Sequence, residues 1–382
     1  MIIELSEEQQ AIRDAVREFA QAEVGPRAAE IDRTSTFPSD LVEKAAAMDL
    51  MGIIIPEKYG GAGLDHVCFA VFIEEIAAES GTLAVILDVH TSVGSEPILF
   101  AGTEEQKQRF LPDLASGERL GAFALTEPEA GSDAGSLTTL AAREPGGWRL
   151  TGTKTFITNV GVASVYIVLA RTGDAASGAR GVTAFIVEKG MDGLTFGEPM
   201  EKMGLHGSPT GELILDGVFV PNENLLGKEN HGFRVAMMAL DRGRIGISAQ
   251  AIGLARGAMD KAVSYAAERR QFGKAITDQQ GIQFLIADRY TEIEAARLLT
   301  LRAATACHRG ESFNQLASMA KLMSTDIAMR ATTDAVQLFG GYGYVKEYPA
   351  ERYFRDAKAT QIYEGTNQIQ RMVIARNLLA DK

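Results

Sequence analysis

The chain has 382 residues, 46% hydrophobic and 23% charged, enough for a sizeable core spread over about two or three domains. Its formal charge of -12 argues against nucleic acid as a partner, because phosphate binding draws on clustered Lys and Arg. No apolar run approaches the roughly 18 residues of a membrane span, and the acidic N-terminus "MIIELSEEQQ" lacks a targeting pattern, so a cytoplasmic protein with no membrane segment is expected.

The first zone reads as helix. "SEEQ" is a capping box with Ser6 as N-cap and Gln9 at N3, followed by Ile12, Val16 and Phe19 on one face. Helical patterns continue to about Gly117. Between Gly121 and Gly232 the texture changes: this zone holds 19 of the 39 glycines, and strand-like runs such as "GAFALT", "WRLTGTKTFITN", "SVYIVLA", "GVTAFIV" and "GELILDGVFV" alternate with turns. Long helical patterns return after Gly232, broken near "FGKAITDQQG", and a four-helix bundle suits them. Segregated helices and strands predict an α+β chain, mostly α, in three domains: 1–120 helical, 121–232 β and 233–382 helical.

Several chemistries are missing from this pattern. "GKAIT" at Gly273 lacks the upstream glycine and the hydroxyl of a P-loop, and "GGYGYV" at Gly340 does not fit a dinucleotide fingerprint. The five histidines are scattered without His-Glu-x-x-His, no Gly-x-Ser-x-Gly elbow occurs, and Cys68 and Cys307 lie far apart, so no metal site or disulfide is expected. Structural roles are assigned to all of these.

Four stretches remain. "FALTEPEAGSDAGS" (123–136) follows a short apolar strand with a turn of small residues, whose N–H groups and Thr126 and Ser132 hydroxyls can receive an anionic or heterocyclic ligand. A plain Glu-Pro turn is the structural alternative. "GTKTFITN" sets Phe156 and Thr158 on one side of a strand, where a cross-strand packing pair would do the same. "ERRQFGKAITDQQG" ends a helix with Arg269 and Arg270 before Phe272, which suits either a phosphate clamp beside a stacking ring or favourable charges at a helix C-terminus. Finally "TQIYEGTNQIQR" places Glu364 ahead of a helix that Asn367 is expected to cap with Gln370 at N3.

Together these stretches resemble the acyl-CoA dehydrogenase family over essentially the whole chain. "ALTEPEAGSDAG" and "QLFGGYGYVKEYPAERYFRDAKATQIYEGTNQIQR" carry the resemblance, in the family's order. It implies an N-terminal helical domain, a central β-barrel-like domain and a C-terminal four-helix bundle, assembled as a homotetramer with one FAD per subunit. It also implies oxidation of an acyl-CoA to trans-2-enoyl-CoA, with electron-transfer flavoprotein as acceptor.

By motif position the resemblance assigns Glu364 as the catalytic base. It assigns FAD contacts to Phe123, Leu125, Thr126, Ser132, Phe156, Thr158, Thr366 and Gln368, with Phe156 standing where the family usually has tryptophan. Arg269, Phe272, Gln280, Gln337, Gly340 and Gly341 match a segment reaching the FAD of a neighbouring subunit. Ser132, Asp241, Arg244 and Gly365 are implied on the substrate side. Some members carry the base at the position of Gly243; glycine offers no carboxylate, so the short-chain branch is the expected one. "VILDVHTSVG" offers no arginine for a distal carboxylate, which disfavours glutaryl-CoA. Burial should raise the Glu364 pKa. Two other readings share the fold: an acyl-CoA oxidase, commonly longer, and a flavoprotein that binds DNA or assists assembly without dehydrogenation, which the net charge and Glu364 oppose.

Overall fold

The computed structural model describes residues 4–380. The first zone is helical: α1 (Glu7–Phe19), α2 (Gly25–Thr34), α3 (Ser39–Ala47), α4 (His66–Glu79), α5 (Gly81–Asp88), α6 (Glu96–Ala101) and α7 (Glu104–Ala115). The Ser6 hydroxyl accepts the Gln9 N–H and the Gln9 amide oxygen accepts the Ser6 N–H, so the capping box forms as its spacing predicts. Val16 and Phe19 enter the core.

Helices α4 and α5 break the amphipathic pattern because they are buried on every side. Two acids inside α4 are balanced by three elements: Glu75 by Arg17 and Arg256, Glu74 by Arg297 and Arg256. A π-helical turn, Val89–Ser95, joins α5 to α6. The continuous segment Gly81–Ala101 has 21 residues and contains an 18-residue window with a mean hydropathy of 1.3, so by length and composition it could cross a membrane. This differs from the expectation that no run comes near that length. The fold explains it: 89% of that window is buried inside the protein, as befits a core helix.

Strands β1 (Gly121–Ala124), β2 (Leu140–Glu144), β3 (Gly147–Thr158), β4 (Val165–Arg171), β5 (Val182–Glu188), β6 (Leu194–Phe196), β7 (Thr210–Pro221) and β8 (Leu225–Leu226) form one sheet in the order β6-β7-β3-β2-β4-β5-β8, with β1 beside β4. Strands β2 and β4 meet at a single pair, Leu140 with Arg171, so the sheet opens into two leaves. Trp148 of β3 meets Phe185 of β5 edge-on at 5.8 Å, and Tyr166 of β4 lies 5.5 Å from Phe196 of β6. The leaves therefore face each other across an apolar interior, the barrel-like arrangement expected.

The last zone contains α8 (Gly232–Glu268), the hairpin strands β9 (Arg270–Gln271) and β10 (Lys274–Ala275), α9 (Gln280–His308), α10 (Asn314–Phe339), α11 (Ala350–Thr360) and α12 (Asn367–Ala380). Helices α8, α9 and α10 pack on one another, α11 closes on α8 and α10, and α12 lies along α10. Because α8 also packs on α4, α5 and β5, it is the axis on which all three zones meet. His90 and the two cysteines take structural places. Buried His90 accepts the Gly121 N–H at Nδ1 and donates from Nε2 to the Leu114 carbonyl, and burial lowers its pKa to about 4, which keeps it neutral. Both cysteines are buried and free, and the described residues hold no metal-ligating cluster.

Candidate active site

The site is built on one face of α8, where Gly243 and Gly246 lie one turn apart. The loop between α11 and α12 lays Glu364 over Gly243: a Cβ at Gly243 would stand 2.1 Å from Glu364 Oε2. Glycine here is thus the space the carboxyl occupies, as well as a missing carboxylate. Both carboxyl oxygens are buried without a hydrogen-bond partner among the described residues. Burial pushes the Glu364 pKa up to about 8, against the pull of Lys321 and Arg244.

Such a placement needs an unusual backbone. Glu364 and Gly365 are both left-handed, with φ of 51° and 88°, and a non-glycine residue held there costs of order 1–3 kcal/mol. The surroundings over-determine it. Gln370 Nε2 donates to the Gly365 carbonyl at 2.8 Å and to that of Glu364 at 3.3 Å, while Lys321 Nζ donates to the Gly365 carbonyl at 2.9 Å.

The cap of α12 differs from the sequence expectation by one residue. Thr366 is the N-cap, its hydroxyl accepting the Ile369 N–H at 3.4 Å, and Asn367 is the first helical residue. The buried Asn367 amide is taken by Lys321, Thr325 and Asp326 of α10. Thr366 and Asn367 are both competent caps; the polar groups waiting on α10 decide between them. Gln370, freed from a capping box, serves the loop carbonyls.

Lys321 is the residue that sequence reasoning missed most clearly. It is fully buried, touches the loop that carries Glu364, and burial lowers its pKa to about 7 despite the opposing charge of Glu364. Arg244 is buried as well, donating to Asp241 at 2.6 Å and to Ser318 at 3.2 Å. It lies within electrostatic reach of Glu364, while Asp241 is shared with Asn314. Behind the base, Tyr363 donates to Gln250, whose amide donates to the Gly81 carbonyl at 2.8 Å. Only the i,i+3 glycine pair in "DRGRIG" hinted that something large must sit against this face.

The β domain supplies a second wall. Phe123 and Tyr363 both pack against the apolar cluster of Val85, Val89, Val93, Leu205 and Ala239, so the start of the 123–136 segment and the residue before the base border the same cluster. The acid of its Glu-Pro turn is an anchor: Glu127 accepts from Thr138, Thr139 and Lys154, and Lys154 also donates to the Leu125 carbonyl at 3.0 Å. Burial opposes ionisation of Glu127, yet the Lys154 charge and these donors bring its pKa down to about 2. This buried pair fixes Leu125 and Thr126 from beneath and leaves Thr126 half-buried and Ser132 exposed. At a register shift between Lys154 and Ile157, Phe156 takes a φ of 58° and is 65% exposed, with half-buried Thr158 on its side of the strand. An aromatic ring held out on a bulge beside unburied hydroxyls fits a flat heterocycle such as the flavin of FAD.

The remaining expected cofactor residues lie elsewhere. Arg269, Gln337, Gly340 and Gly341 line an open surface cavity of about 740 Å³, walled by Tyr265, Phe339 and Tyr348. Phe272, 96% exposed with a φ of 53°, tips the β9–β10 hairpin, and exposed Gln280 starts α9. Neither Glu364 nor any of the β-domain group lines that cavity. Within one chain the expected FAD residues of the β domain and those around the β9–β10 hairpin and the end of α10 form separate groups, while Thr366 and exposed Gln368 follow the base at the start of α12.

Three family models match in succession: acyl-CoA dehydrogenase N-terminal domain over residues 6–118, middle domain over 122–218 and C-terminal domain over 230–379. A Bacillus subtilis acyl-CoA dehydrogenase is 52% identical over 375 residues, covering 98% of this chain and 99% of that protein. The chain belongs to the acyl-CoA dehydrogenase family. Members are FAD flavoproteins and oxidoreductases. Among solved structures, butyryl-CoA dehydrogenase from Megasphaera elsdenii superposes with a TM-score of 0.97 at 44% identity, covering 99% of this chain and 100% of that one. A chain from work on the electron transferring flavoprotein of Acidaminococcus fermentans and flavin-based electron bifurcation reaches 0.98 at 47% identity, covering 99% and 100%.

Proposed function

We propose that this acyl-CoA dehydrogenase acts on short-chain acyl-CoA thioesters, with Glu364 as the base that removes the α-proton. One observation carries the assignment: a buried, unpartnered carboxyl seated on a glycine of α8, with its pKa raised to about 8. The α-proton of a thioester is weakly acidic, so the base must be strong and must meet it directly. Burial supplies the strength, and the left-handed loop supplies the position. The Glu364 N–H is the donor for the thioester oxygen, where charge grows as the proton leaves. Lys321 and Arg244 hold the base ready to ionise without pairing with it directly. FAD, when bound, accepts the β-hydride at flavin N5.

The base works only when deprotonated, which gives a pH signature. Flavin reduction by butyryl-CoA should rise about tenfold per pH unit up to about 8 and then level off. Stopped-flow reduction at 450 nm across pH measures this limb; a rate flat from pH 6 to 9 would remove Glu364 as the titrating base.

The reading extends to a cytoplasmic homotetramer that passes electrons to an electron-transfer flavoprotein. Separate groups of expected FAD residues support a cofactor site completed by a second subunit, and so does the exposure of Phe272 at 96% and Tyr344 at 86%. Both cysteines are buried and free, in keeping with a reducing compartment. The Acidaminococcus likeness supports the acceptor. Native mass spectrometry should find four chains with four FAD; flavin retained by a monomer would exclude a shared site.

A further inference from the structure

Asp88 ends α5, and its side chain is fully buried. Neither carboxyl oxygen finds a hydrogen-bond partner among the described residues. Ser92 donates to the Asp88 backbone carbonyl at 2.8 Å and lies close enough to the carboxyl to ease its ionisation slightly, while Gln250 is held between Tyr363 and Gly81. The carboxyl is pressed onto Gly246, where a Cβ would stand 1.8 Å from Oδ1, just as Glu364 is pressed onto Gly243. Positions three apart on a helix are neighbours, about 5–6 Å between Cβ sites. The two carboxyls therefore sit side by side on α8.

Glu364 faces Asp88 from the α11–α12 loop and Glu96 from α6, with the Tyr363 hydroxyl nearby; no cation acts on it directly. Burial first, and then the charge of Glu364, hold the Asp88 carboxyl well above the usual carboxylate range. In its protonated form, which burial favours, it has one O–H to donate and a carbonyl oxygen to accept. The Phe69 ring closes on the same Gly246 position, 3.1 Å from where a Cβ would stand. A polar group buried there without a partner is unfavourable unless the occupant of the site brings one.

We propose that Asp88 is a subsite for the distal part of the acyl chain, selecting short acyl-CoAs that carry a hydroxyl or amine a few bonds beyond the α-carbon. The inference rests on the dehydrogenase reading above, in which the α-carbon meets Glu364; the next turn of α8 then lies beside the rest of the chain. A plain alkyl chain leaves Asp88 unpaired. A terminal carboxylate reaching Asp88 meets a second carboxyl and no cation that acts on it, which sets glutaryl-CoA at a disadvantage.

The test is flavin reduction in the purified holoenzyme with matched substrates: butyryl- against γ-hydroxybutyryl-CoA, pentanoyl- against δ-hydroxypentanoyl-CoA, together with γ-aminobutyryl-CoA and glutaryl-CoA. The hydroxylated or aminated member is expected to exceed its alkyl partner in kcat/KM by about tenfold or more. Asp88→Leu should abolish or reverse that ratio, whereas Asp88→Asn, also a hydrogen-bonding group, should keep most of it. Asp88→Ser serves if the leucine variant does not retain flavin. A wild-type ratio near one, or a ratio unchanged in the Leu or Ser variant, overturns the assignment. Failure of every acyl-CoA to bleach the flavin would instead remove the dehydrogenase reading itself.

Discussion

Glu364→Gln is expected to give a yellow, FAD-bound protein whose flavin reduction by a short acyl-CoA is slower by about 10²–10⁴-fold, the usual contribution of a positioned general base. The amide has the shape of the carboxyl, so it should take the same seat over Gly243 and keep the left-handed loop and its bonds from Gln370 and Lys321. Only the ability to accept the proton is lost. Stability should move the other way. A carboxyl whose folded pKa is raised to about 8 stabilises the native state below its unfolded value and loses that contribution as pH rises through about 8. The Gln variant has no such loss, so its advantage in Tm should grow from about pH 5 to about pH 9. A variant that bleached at the wild-type rate would show that another residue takes the proton.

The second large effect is expected at a residue with no functional group. Gly243→Ala should lower the rate of flavin reduction by roughly 10²-fold, the cost of displacing a reacting group by about 1 Å. The new methyl would lie 2.1 Å from Glu364 Oε2 and 2.7 Å from its Cδ, so the carboxyl must leave its seat. Alanine favours a helix over glycine by up to about 1 kcal/mol, so α8 itself should not weaken through propensity. Flavin content should stay intact, since the three atoms nearest the new methyl all belong to the Glu364 carboxyl. The readout is single-turnover reduction at saturating butyryl-CoA; an unchanged rate would mean the carboxyl does not rest on Gly243 when it acts.

Much of this molecule could be read along the chain. The capping box at Ser6, the strand runs after Gly121 and the long helices after Gly232 are local patterns, governed by backbone hydrogen bonding and by periods of two and 3.6 residues. They appear where those patterns put them. The α12 cap did not, because Thr366 and Asn367 are locally equivalent and the choice belongs to Lys321, Thr325 and Asp326 on another helix. The apolar reach of Gly81–Ala101 escaped notice for a related reason. Its helix is interrupted in composition by Asp88, His90 and Glu96, whose burial depends on contacts made far away in sequence.

The candidate site divides in the same way. By itself the sequence determined the family motifs, the carboxylate at Glu364 and the absence of one at Gly243, because these are matters of residue identity and order. Only the tertiary structure decided what that carboxylate is. Residues 88, 243, 321 and 364 come from four separate segments and meet on α8, and both desolvation and charge coupling depend on that meeting. An acid that would be ionised in water becomes there a stronger base beside a second carboxyl whose ionisation burial also opposes, since removing water changes the cost of charge far more than any neighbour in sequence can.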